Sequence, residues 1–396
     1  MVDLIKKSDC TGCKMCEDIC PCGAITFRNE KDGFWYPVVD SEKCTRCGLC
    51  LSKCPVQRTY TSKNKGKPEV YSAWIRDDRT RINSTSGGIY YALAQQTIKE
   101  GGYIVGCVYS EDYKSAYHIV GNSMEDLKRI MRSKYFQSDT SGIFKLVKQL
   151  LDDKKKVLFC GTPCQAAALT NYLPKEYDDL TICDFICRGI NSPKAFRAYI
   201  ESLEHKYKSK VSLVHLKNKN HGWRALGTYM EFQNGQTYFR NKANDPWVNG
   251  YISGNLYMRK CCSHCKFKKI PRVSDISLGD FWGIKGSKED MKKGISLVMI
   301  NSEKGITLFN SVNSQIHKER NTLEKAIEGN RCIIESAPMG KQRYEFFECV
   351  DKEHFESLVW RLLGQSKWRQ CMRTIKYNLS RIKENLQNIK VCNKNQ

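Results

Sequence analysis

One cysteine pattern occurs twice in the first 55 residues of the chain. In each copy the cysteines are separated by two, two and three residues, and a proline follows the last one. The copies comprise Cys10, Cys13, Cys16 and Cys20 before Pro21, and Cys44, Cys47, Cys50 and Cys54 before Pro55. Three thiolates at this spacing can bind one face of an inorganic cluster, and the proline turns the chain so that the fourth thiolate reaches a second cluster. The repeat therefore restricts this part of the chain to a small fold built around metal.

This spacing is typical of bacterial ferredoxins that bind two [4Fe–4S] clusters. It predicts one cluster on Cys10, Cys13, Cys16 and Cys54, and the other on Cys44, Cys47, Cys50 and Cys20. A structural zinc module is the alternative, because zinc also binds four thiolates. Zinc sites rarely need eight cysteines in two matched runs, so the pattern favours iron–sulfur clusters and electron transfer.

Composition limits what the rest of the chain can be. A chain of 396 residues has room for two or three domains. Its 21 cysteines would indicate disulfides in a secreted protein, but no apolar signal segment and no membrane span is recognisable. We therefore expect reduced thiols in the cytoplasm. The net charge of +23 favours an acidic partner, a phosphate-bearing cofactor or an anionic membrane surface, and no motif predicts nucleic-acid binding.

The order of apolar segments predicts a multidomain α+β and α/β protein. A two-cluster ferredoxin-like module is predicted at residues 1–58 and a polar linker at 59–68. Strands then alternate with helix-length segments, which is typical of an α/β domain with a largely parallel sheet. We predict an N-terminal α/β part at 69–152, a C-terminal part with a β-rich second half at 153–310, and a helical region at 311–396.

A third group of cysteines is spread over the predicted α/β domain. Cys164 and Cys187 each follow the carboxyl end of a predicted strand, and such ends of neighbouring strands meet at one edge of an open sheet. Cys262 and Cys265 form a C-x2-C pair suited to a metal or a cluster. These four cysteines predict a third site. The alternatives are an activated nucleophile for Cys164 and a buried apolar role for Cys187. Cys22 and Cys261 are interpreted as spare thiols beside the ligands, and Cys107, Cys160, Cys183, Cys332, Cys349, Cys371 and Cys392 as structural or incidental.

Several motifs resemble those of the coenzyme F420 hydrogenase/dehydrogenase beta-subunit family. They include the segments at 157–165, 184–189, 262–267, 275–283 and 293–297, together with Ser86-Gly87-Gly88 and Ser133-Lys134-Tyr135 upstream. The resemblance covers roughly residues 8–300, and the motifs occur in the family's order. It implies a flavoprotein-type domain and a [4Fe–4S] cluster on Cys164, Cys187, Cys262 and Cys265. It also implies electron exchange with a deazaflavin or with another protein's redox centre. Arg188 stands where relatives more often have histidine.

A flavin, FAD or FMN, would need backbone donors and a cation. Ser86, Gly87 and Gly88 at a helix start offer free N–H groups to an anion, and Ser133, Lys134 and Tyr135 could supply charge and stacking. The alternatives are a helix cap for the Ser-Gly-Gly segment and a solvated surface charge for Lys134. Asp280 is interpreted as a turn residue, or as a group that closes a pocket. No catalytic residue is assigned, and His118, His215 and His221 are interpreted as structural or surface residues.

The last 31 residues, 366–396, show an amphipathic pattern. Seven apolar residues from Trp368 to Ile389 recur every three or four positions, and eight basic residues accompany a single acid, Glu384. This predicts a helix that packs on its own domain, lies on the inner face of the membrane or docks a partner.

The whole sequence predicts an oxidoreductase that passes electrons between a two-electron carrier, such as a deazaflavin, and the ferredoxin-type clusters. The alternatives are a non-catalytic electron-transfer subunit, which would serve a donor or acceptor protein, and a redox component of a polysaccharide-biosynthesis system.

Overall fold

The computed structural model of the protein describes residues 5–57, 64, 66–365, 372 and 375. The strands are β1 Ile25–Asn29, β2 Trp35–Val39, β3 Glu69–Ile75, β4 Tyr103–Tyr109, β5 Ala116–Gly121, β6 Val157–Gly161, β7 Leu180–Phe185, β8 Val211–Asn218, β9 Gly227–Phe232, β10 Thr237–Asn241, β11 Ile276–Asp280, β12 Ser296–Ile300 and β13 Ile316–Asn321. They form sheets of two, three and eight strands.

The helices alternate with these strands over the middle of the chain. They are α1 Met15–Ile19, α2 Leu49–Ser52, α3 Asp78–Asn83, α4 Ile89–Lys99, α5 Met124–Ile130, α6 Ile143–Asp152, α7 Pro163–Tyr172, α8 Pro193–Tyr207, α9 Pro246–Ile252, α10 Lys288–Lys293, α11 Glu303–Ser311, α12 Leu323–Gly329, α13 Arg343–Cys349 and α14 Phe355–Leu362. Short 3₁₀ turns cover Trp223–Ala225, Lys260–His264 and Arg331–Ile333.

The cysteine-rich module at the start of the chain contains α1, α2 and the antiparallel β1–β2 ribbon. It docks tightly on the rest of the protein. The Asp18 carboxylate accepts hydrogen bonds from the backbone N–H groups of Gly142 (2.7 Å) and Phe144 (3.1 Å) at the start of α6. Met15 and Val56 are buried among side chains of the α/β region. The module is therefore part of one packed structure.

The eight-stranded sheet has the order β13-β3-β12-β11-β7-β6-β4-β5. The four central strands β11, β7, β6 and β4 are parallel, and the remaining neighbours pair antiparallel. The expectation of a largely parallel sheet is therefore wrong for its flanks. The reason is that β3 and β12 are apolar runs whose composition carries no information about direction, and β12 returns antiparallel directly after β11.

Apolar residues alternate along the central strands between two helical layers. Ile104 and Val108 of β4 pack with α4 on one face, while Val105 packs with α6 and α7 on the other. The pairing directions make β3, β4, β6, β7 and β11 run the same way. Their carboxyl ends therefore lie together along one side of the sheet, here called the carboxyl edge, which is where ligands bind in open α/β sheets.

The boundaries predicted at 152/153 and at 310/311 both fall within this sheet. Its strands come from both sides of each boundary, since β3, β4 and β5 precede 152, β6, β7, β11 and β12 lie between the two boundaries, and β13 follows 311. The helical region predicted from 311 contains a strand, β13, which corrects that expectation. Its sequence Ile-His-Lys-Glu-Arg-Asn has little strand character, but a charged strand is suited to a sheet edge, and β13 is the edge strand next to β3.

The β-rich part predicted after 211 forms the antiparallel sheet β10-β9-β8, which packs with α8, α9, α13 and α14 around Trp247 and Phe346. No helix within the described residues is long and apolar enough to cross a membrane. The predicted basic helix at 366–396 lies outside the described residues, apart from Met372 and Ile375. Most of the predicted linker at 59–68 also lies outside them.

Candidate functional site

The cysteines of the module surround two separate cavities. Cys10, Cys13, Cys16 and Cys54 line one of them, here called the middle site. Cys20, Cys44, Cys47 and Cys50 line the other, here called the outer site. Each cavity is thus lined by three cysteines of one run and the last cysteine of the other run, which is the grouping that the spacing predicts, and Cys50 also reaches the middle cavity.

The remaining four predicted ligands also line a single cavity, here called the inner site. These are Cys164, Cys187, Cys262 and Cys265. Topology explains why they meet. Cys164 lies in the first turn of α7 after β6, and Cys187 follows β7, so the parallel β6–β7 pair brings both to one edge of the sheet. Cys262 belongs to the 3₁₀ turn Lys260–His264, and Cys265 follows that turn directly.

Local hydrogen bonds fix the thiols of the inner site. Thr162 caps the start of α7, and its hydroxyl lies 3.1 Å from the Cys164 thiol. The backbone N–H of Ile190 donates to the Cys262 sulfur at 3.4 Å, and the N–H of Cys265 donates to the Ser336 hydroxyl at 3.0 Å. An N–H directed at a cysteine sulfur stabilises a thiolate ligand.

Burial opposes ionisation of most of these thiols. It raises the pKa of Cys187 to about 12 and that of Cys13 to about 12, and it raises the pKa of Cys164 well above its ordinary value. Cys262 differs, because the adjacent Cys261 thiol hydrogen-bonds to it and lowers its pKa to about 7 despite burial. Buried thiols of this kind ionise when they bind a metal, so the donor sets fit metal-bound thiolates.

The three sets fit clusters better than single ions. A zinc ion needs its four ligand atoms about 2.0–2.3 Å away. In the part of the chain that the structure describes, no three Cys, His, Asp or Glu side chains converge closely enough to hold one ion. The thiols of each set instead stand around a cavity, as the larger [4Fe–4S] group requires.

The three sites lie in a row. Cys50 lines both the outer and the middle cavity, and Thr11 and Val56 line both the middle and the inner cavity. Cys47 of the outer site is exposed to solvent. The row therefore starts at the protein surface and ends at the carboxyl edge of the sheet.

The predicted Ser-Gly-Gly segment lies at the same edge. The N–H of Gly87 donates to the Ser296 hydroxyl at 2.9 Å, and a Cβ on Gly87 would stand 2.4 Å from the carbonyl oxygen of Ala73. Gly88 has φ +85° and forms the N-cap of α4. Both glycines thus have a structural role, and the Gly87 N–H is not free for a ligand.

Ser133, Lys134 and Tyr135 reach the same region after α5. The Ser133 hydroxyl lies 3.3 Å from that of Thr85, next to Ser86. The Lys134 ammonium donates to the carbonyls of Arg129, Ile130 and Met131 at 2.7–2.9 Å, so it caps α5. Lys134 is therefore not the solvated surface charge of the alternative interpretation.

The structure adds basic residues at this edge that the sequence did not single out. The Lys219 ammonium donates to the carbonyls of Arg81, Ser86 and Lys293 at 2.5–2.7 Å. The Arg132 guanidinium donates to the backbone and side-chain oxygens of Asn83. Lys217 pairs with Asp280 and lies over the Tyr135 and Trp282 rings at 5.5 and 5.8 Å. Single basic residues such as these, one in β8 and two in loops, leave no sequence pattern that could have identified them.

Burial and neighbouring cations lower the pKa values of Lys219 and His215 at this edge, whereas, despite burial, Asp280 raises the pKa of Lys217. Burial, with Arg81, Arg132 and Lys217 nearby, lowers the pKa of Lys219 to about 7. Burial, followed by Arg132 and Lys134, lowers the pKa of His215 to about 3. Asp280 does more than close a turn, because it accepts from Lys217 and from the Trp223 indole at 2.7 Å. The region has an excess of positive charge that an anion would neutralise.

Buried polar atoms without partners lie close by. The hydroxyls of Tyr90, in the first turn of α4, and of Tyr109, at the end of β4, are buried and have no hydrogen-bond partner among the described protein atoms. An unpaired buried hydroxyl is unfavourable, so we expect polar groups of a bound molecule or water there. These atoms and the cations fit a polar, anionic cofactor.

Aromatic side chains connect the two parts of the edge. The Tyr135 and Tyr251 rings are 5.6 Å apart, and the Arg188 guanidinium, next to Cys187, lies 5.3 Å from the Tyr251 ring centroid. The predicted flavin residues and the inner site are thus neighbours. The buried His118 has its pKa lowered to about 4 by burial and stacks on Phe159.

Cysteines interpreted as spare or incidental line two of the cavities. Cys22 lines the outer cavity, with its sulfur 3.7 Å from that of Cys20. Cys261 and Cys332 line the inner cavity. Sequence spacing could not place Cys332 there, because it lies 67 residues after Cys265 and arrives through the fold.

Two family models match the chain. Residues 9–58 match the 4Fe-4S dicluster domain, and residues 154–325 match the C terminus of the coenzyme F420 hydrogenase/dehydrogenase beta subunit. The second match covers the segment that supplies Cys164, Cys187, Cys262 and Cys265. Cys332 lies beyond it.

Relatives are similar over part of their length. An uncharacterized protein of Methanocaldococcus jannaschii is 26% identical over 198 residues, which is 43% of this chain and 54% of the relative. The coenzyme F420-dependent sulfite reductase of the same organism is 24% identical over 169 residues, 42% of this chain and 26% of the relative. The chain thus spans about half or less of these curated relatives.

A solved structure of the F420-reducing [NiFe] hydrogenase complex from Methanosarcina barkeri contains a chain of similar shape. The TM-score is 0.47 at 16% identity, over 69% of this chain and 92% of that chain.

Proposed function

Because the chain carries a 4Fe–4S dicluster domain and the C-terminal domain of the coenzyme F420 hydrogenase/dehydrogenase beta-subunit family, we propose that it is an iron–sulfur flavoprotein oxidoreductase. It would exchange electron pairs with a soluble two-electron carrier at the sheet edge and single electrons with a partner protein at the outer site. The observation that carries this proposal is the row of three cavities, each lined by one predicted set of four cysteines, that leads from the surface to a positively charged edge of the sheet.

The position of each site in the protein would determine its role in electron transfer. The outer site contains the exposed Cys47 and would face the partner protein. The cysteines of the middle and inner sites are buried or half-buried, and the two cavities share Thr11 and Val56 as walls. A flavin, when bound, couples two-electron to one-electron chemistry, while the protein sets distance, potential and access.

The carboxyl edge of the sheet with its basic residues, here called the basic edge, supports a flavin as the group bound beside the inner site. Arg132 and Lys217 would hold its phosphate, with the Ser133 hydroxyl nearby. Lys219 would contribute only its charge, because its ammonium already donates to three carbonyls. Tyr135 and Trp282, which flank Lys217, would contact its ring. The buried hydroxyls of Tyr90 and Tyr109 offer further polar contacts. The Gly87 N–H is not part of the proposed flavin site, because it already donates to the Ser296 hydroxyl.

The comparisons suggest a class of carrier. The M. jannaschii relative is named a coenzyme F420-dependent sulfite reductase, and we extend a deazaflavin-like carrier to this chain as part of the proposal. Such a carrier would approach over the basic edge, because its own anionic groups would be attracted there.

Anaerobic purification with iron, sulfide and flavin quantified tests the proposal. Three occupied sites give about 12 Fe per chain, with about one flavin. An iron content of about 8 Fe per chain would show that the inner site holds no cluster. A full iron content without flavin would leave a non-catalytic electron-transfer subunit and overturn the oxidoreductase.

Variants locate the flavin. Arg132→Gln and Lys217→Gln should each lower the flavin content while iron stays at the wild-type value. The matched control is Arg129→Gln, since Arg129 lies on α5 three residues before Arg132 and pairs with Asp126 at the surface. Retained flavin in both test variants would show that the basic edge does not bind it.

A further inference from the structure

Arg259 occupies a buried position between the middle and the inner site. Its side chain donates three hydrogen bonds, from Nε to the carbonyl oxygen of Cys10 at 2.8 Å, from Nη1 to Oε1 of Gln137 at 2.7 Å, and from Nη2 to the carbonyl oxygen of Trp35 at 3.0 Å. The residue is 1% exposed. It also lines the inner cavity, and its own carbonyl accepts from the N–H of Cys262 at 3.1 Å. One residue therefore contacts ligand segments of both sites.

The charge of Arg259 lacks a carboxylate partner among the described residues. The three acceptors of its guanidinium are all uncharged. The other buried arginines differ, since Arg81 pairs with Asp290, Arg272 with Asp184 and Arg343 with Asp32, each at 2.7–2.9 Å. A buried cation without a counter-ion is strongly unfavourable. The Tyr36 and Phe34 rings, 4.4 and 5.1 Å away, compensate only part of this cost.

An anion is therefore expected beside Arg259, and the two cysteine sites would supply it. A [4Fe–4S] cluster with four thiolates carries net negative charge, and a nearby cation favours its more negative, reduced form. We propose that the Arg259 guanidinium is the shared counter-charge of the middle and inner clusters and raises the reduction potentials of both. This inference rests on the proposed iron–sulfur occupancy. Arg259 is a positioning residue, because it acts through the ligands that it contacts.

The chain leaves room for this contact at Gly12. That residue has φ +67°, and a Cβ there would stand 2.4 Å from Nε2 of Gln137 and 2.8 Å from Nη1 of Arg259. Gln137 also donates to the Thr11 and Gly12 carbonyls at 3.2 Å. The cysteine loop of the middle site thus lies directly on the Arg259–Gln137 pair, which fixes the guanidinium between the two sites.

Redox titration of the full-length, anaerobically purified protein, followed by electron paramagnetic resonance, tests the inference. Arg259→Gln should shift the midpoint potentials of the middle and inner clusters to more negative values and leave the outer cluster unchanged. Arg259→Lys keeps the charge and should give a smaller shift. Gln137→Glu places a carboxylate against Nη1 and should shift both potentials in the same direction as Arg259→Gln. Arg343→Gln is the control, because its charge is already paired with Asp32.

The outcomes separate this inference from the proposed function. A wild-type protein without the third cluster defeats the proposed function. A wild-type protein with three clusters, whose potentials do not move in iron-replete Arg259→Gln or Gln137→Glu protein, overturns the role of Arg259 alone. If Arg259→Gln does not fold or loses iron, Gln137→Glu decides, since it leaves the guanidinium in place. An equal shift in Arg343→Gln would also overturn the inference.

Discussion

The outer and inner sites have four predicted ligands each and lie in opposite surroundings. The outer cysteines come from two runs within 31 residues of chain, and their loop is largely exposed, with Cys47 and Leu49 at the surface. The inner cysteines span about a hundred residues and meet only because two parallel strands and a 3₁₀ turn converge. The first site depends on local sequence and the second on the whole sheet. The outer site can thus face a partner, while the inner site is sensitive to changes throughout the fold.

The largest expected effect is the loss of the inner cluster alone when a single cysteine is replaced. Cys187→Ser should lower the iron content from about 12 to about 8 Fe per chain and leave the outer and middle clusters intact. Cys183→Ser is the control, since Cys183 is buried within β7, four residues earlier, and is not among the residues that line the inner cavity. Iron analysis with electron paramagnetic resonance checks this, and equal iron in the Cys187 variant and the wild type would contradict it.

Exposure should set the order in which the clusters are lost. When oxygen is admitted to the purified protein, we expect the outer cluster to decay first, because solvent reaches Cys47, and the inner cluster to decay last. Time-resolved electron paramagnetic resonance would follow the three signals. Simultaneous loss of all three would show that the difference in burial does not protect the inner site.

The stability of the fold around the inner site should also depend more on a buried ion pair than on exposed ones. The Arg272–Asp184 pair at its wall is 2.8 Å long, and its side chains are 2% and 0% exposed. Removing one partner of a buried pair costs about 3–5 kcal/mol, so Arg272→Ala should lower the free energy of unfolding by about that amount. Urea denaturation under anaerobic conditions measures it.

The exposed pair Arg331–Glu335 provides the control, at 74% and 50% exposure. Arg331→Ala should change the free energy of unfolding by less than about 1 kcal/mol. Equal losses for the two arginines would remove the distinction between the buried and the exposed pair.

The smallest effect concerns the helix that presents Cys164. Thr162 and Gln165 form a capping box at the start of α7. Thr162→Ala should cost about 1 kcal/mol of stability, whereas Thr162→Ser should preserve most of it. Thermal unfolding compares the two variants, and indistinguishable midpoints would show that the cap contributes little.

The sequence predicted what depends on local pattern. The predicted alternation of strands and helices is present over the middle of the chain, and the rule that the carboxyl ends of neighbouring strands converge brought Cys164 and Cys187 together. Among the strands that it missed are β5 and β13, which lie at the two edges of the eight-stranded sheet, and most residues of β13 are polar or charged. It could not identify Arg259, Lys217 or Lys219 either, because each acquires its surroundings from segments distant in the chain. The assignment of ligands and cofactors to these residues stays a prediction.

The contact between Asp18 and the start of α6 limits how the cysteine-rich module could be exchanged. Its carboxylate satisfies two backbone N–H groups of a helix in another part of the protein. A module taken from an unrelated electron carrier would leave those groups unsatisfied unless it supplied an acid at the same place. Although its sequence resembles that of an independent domain, replacing the module would require redesign of the surface on which it packs.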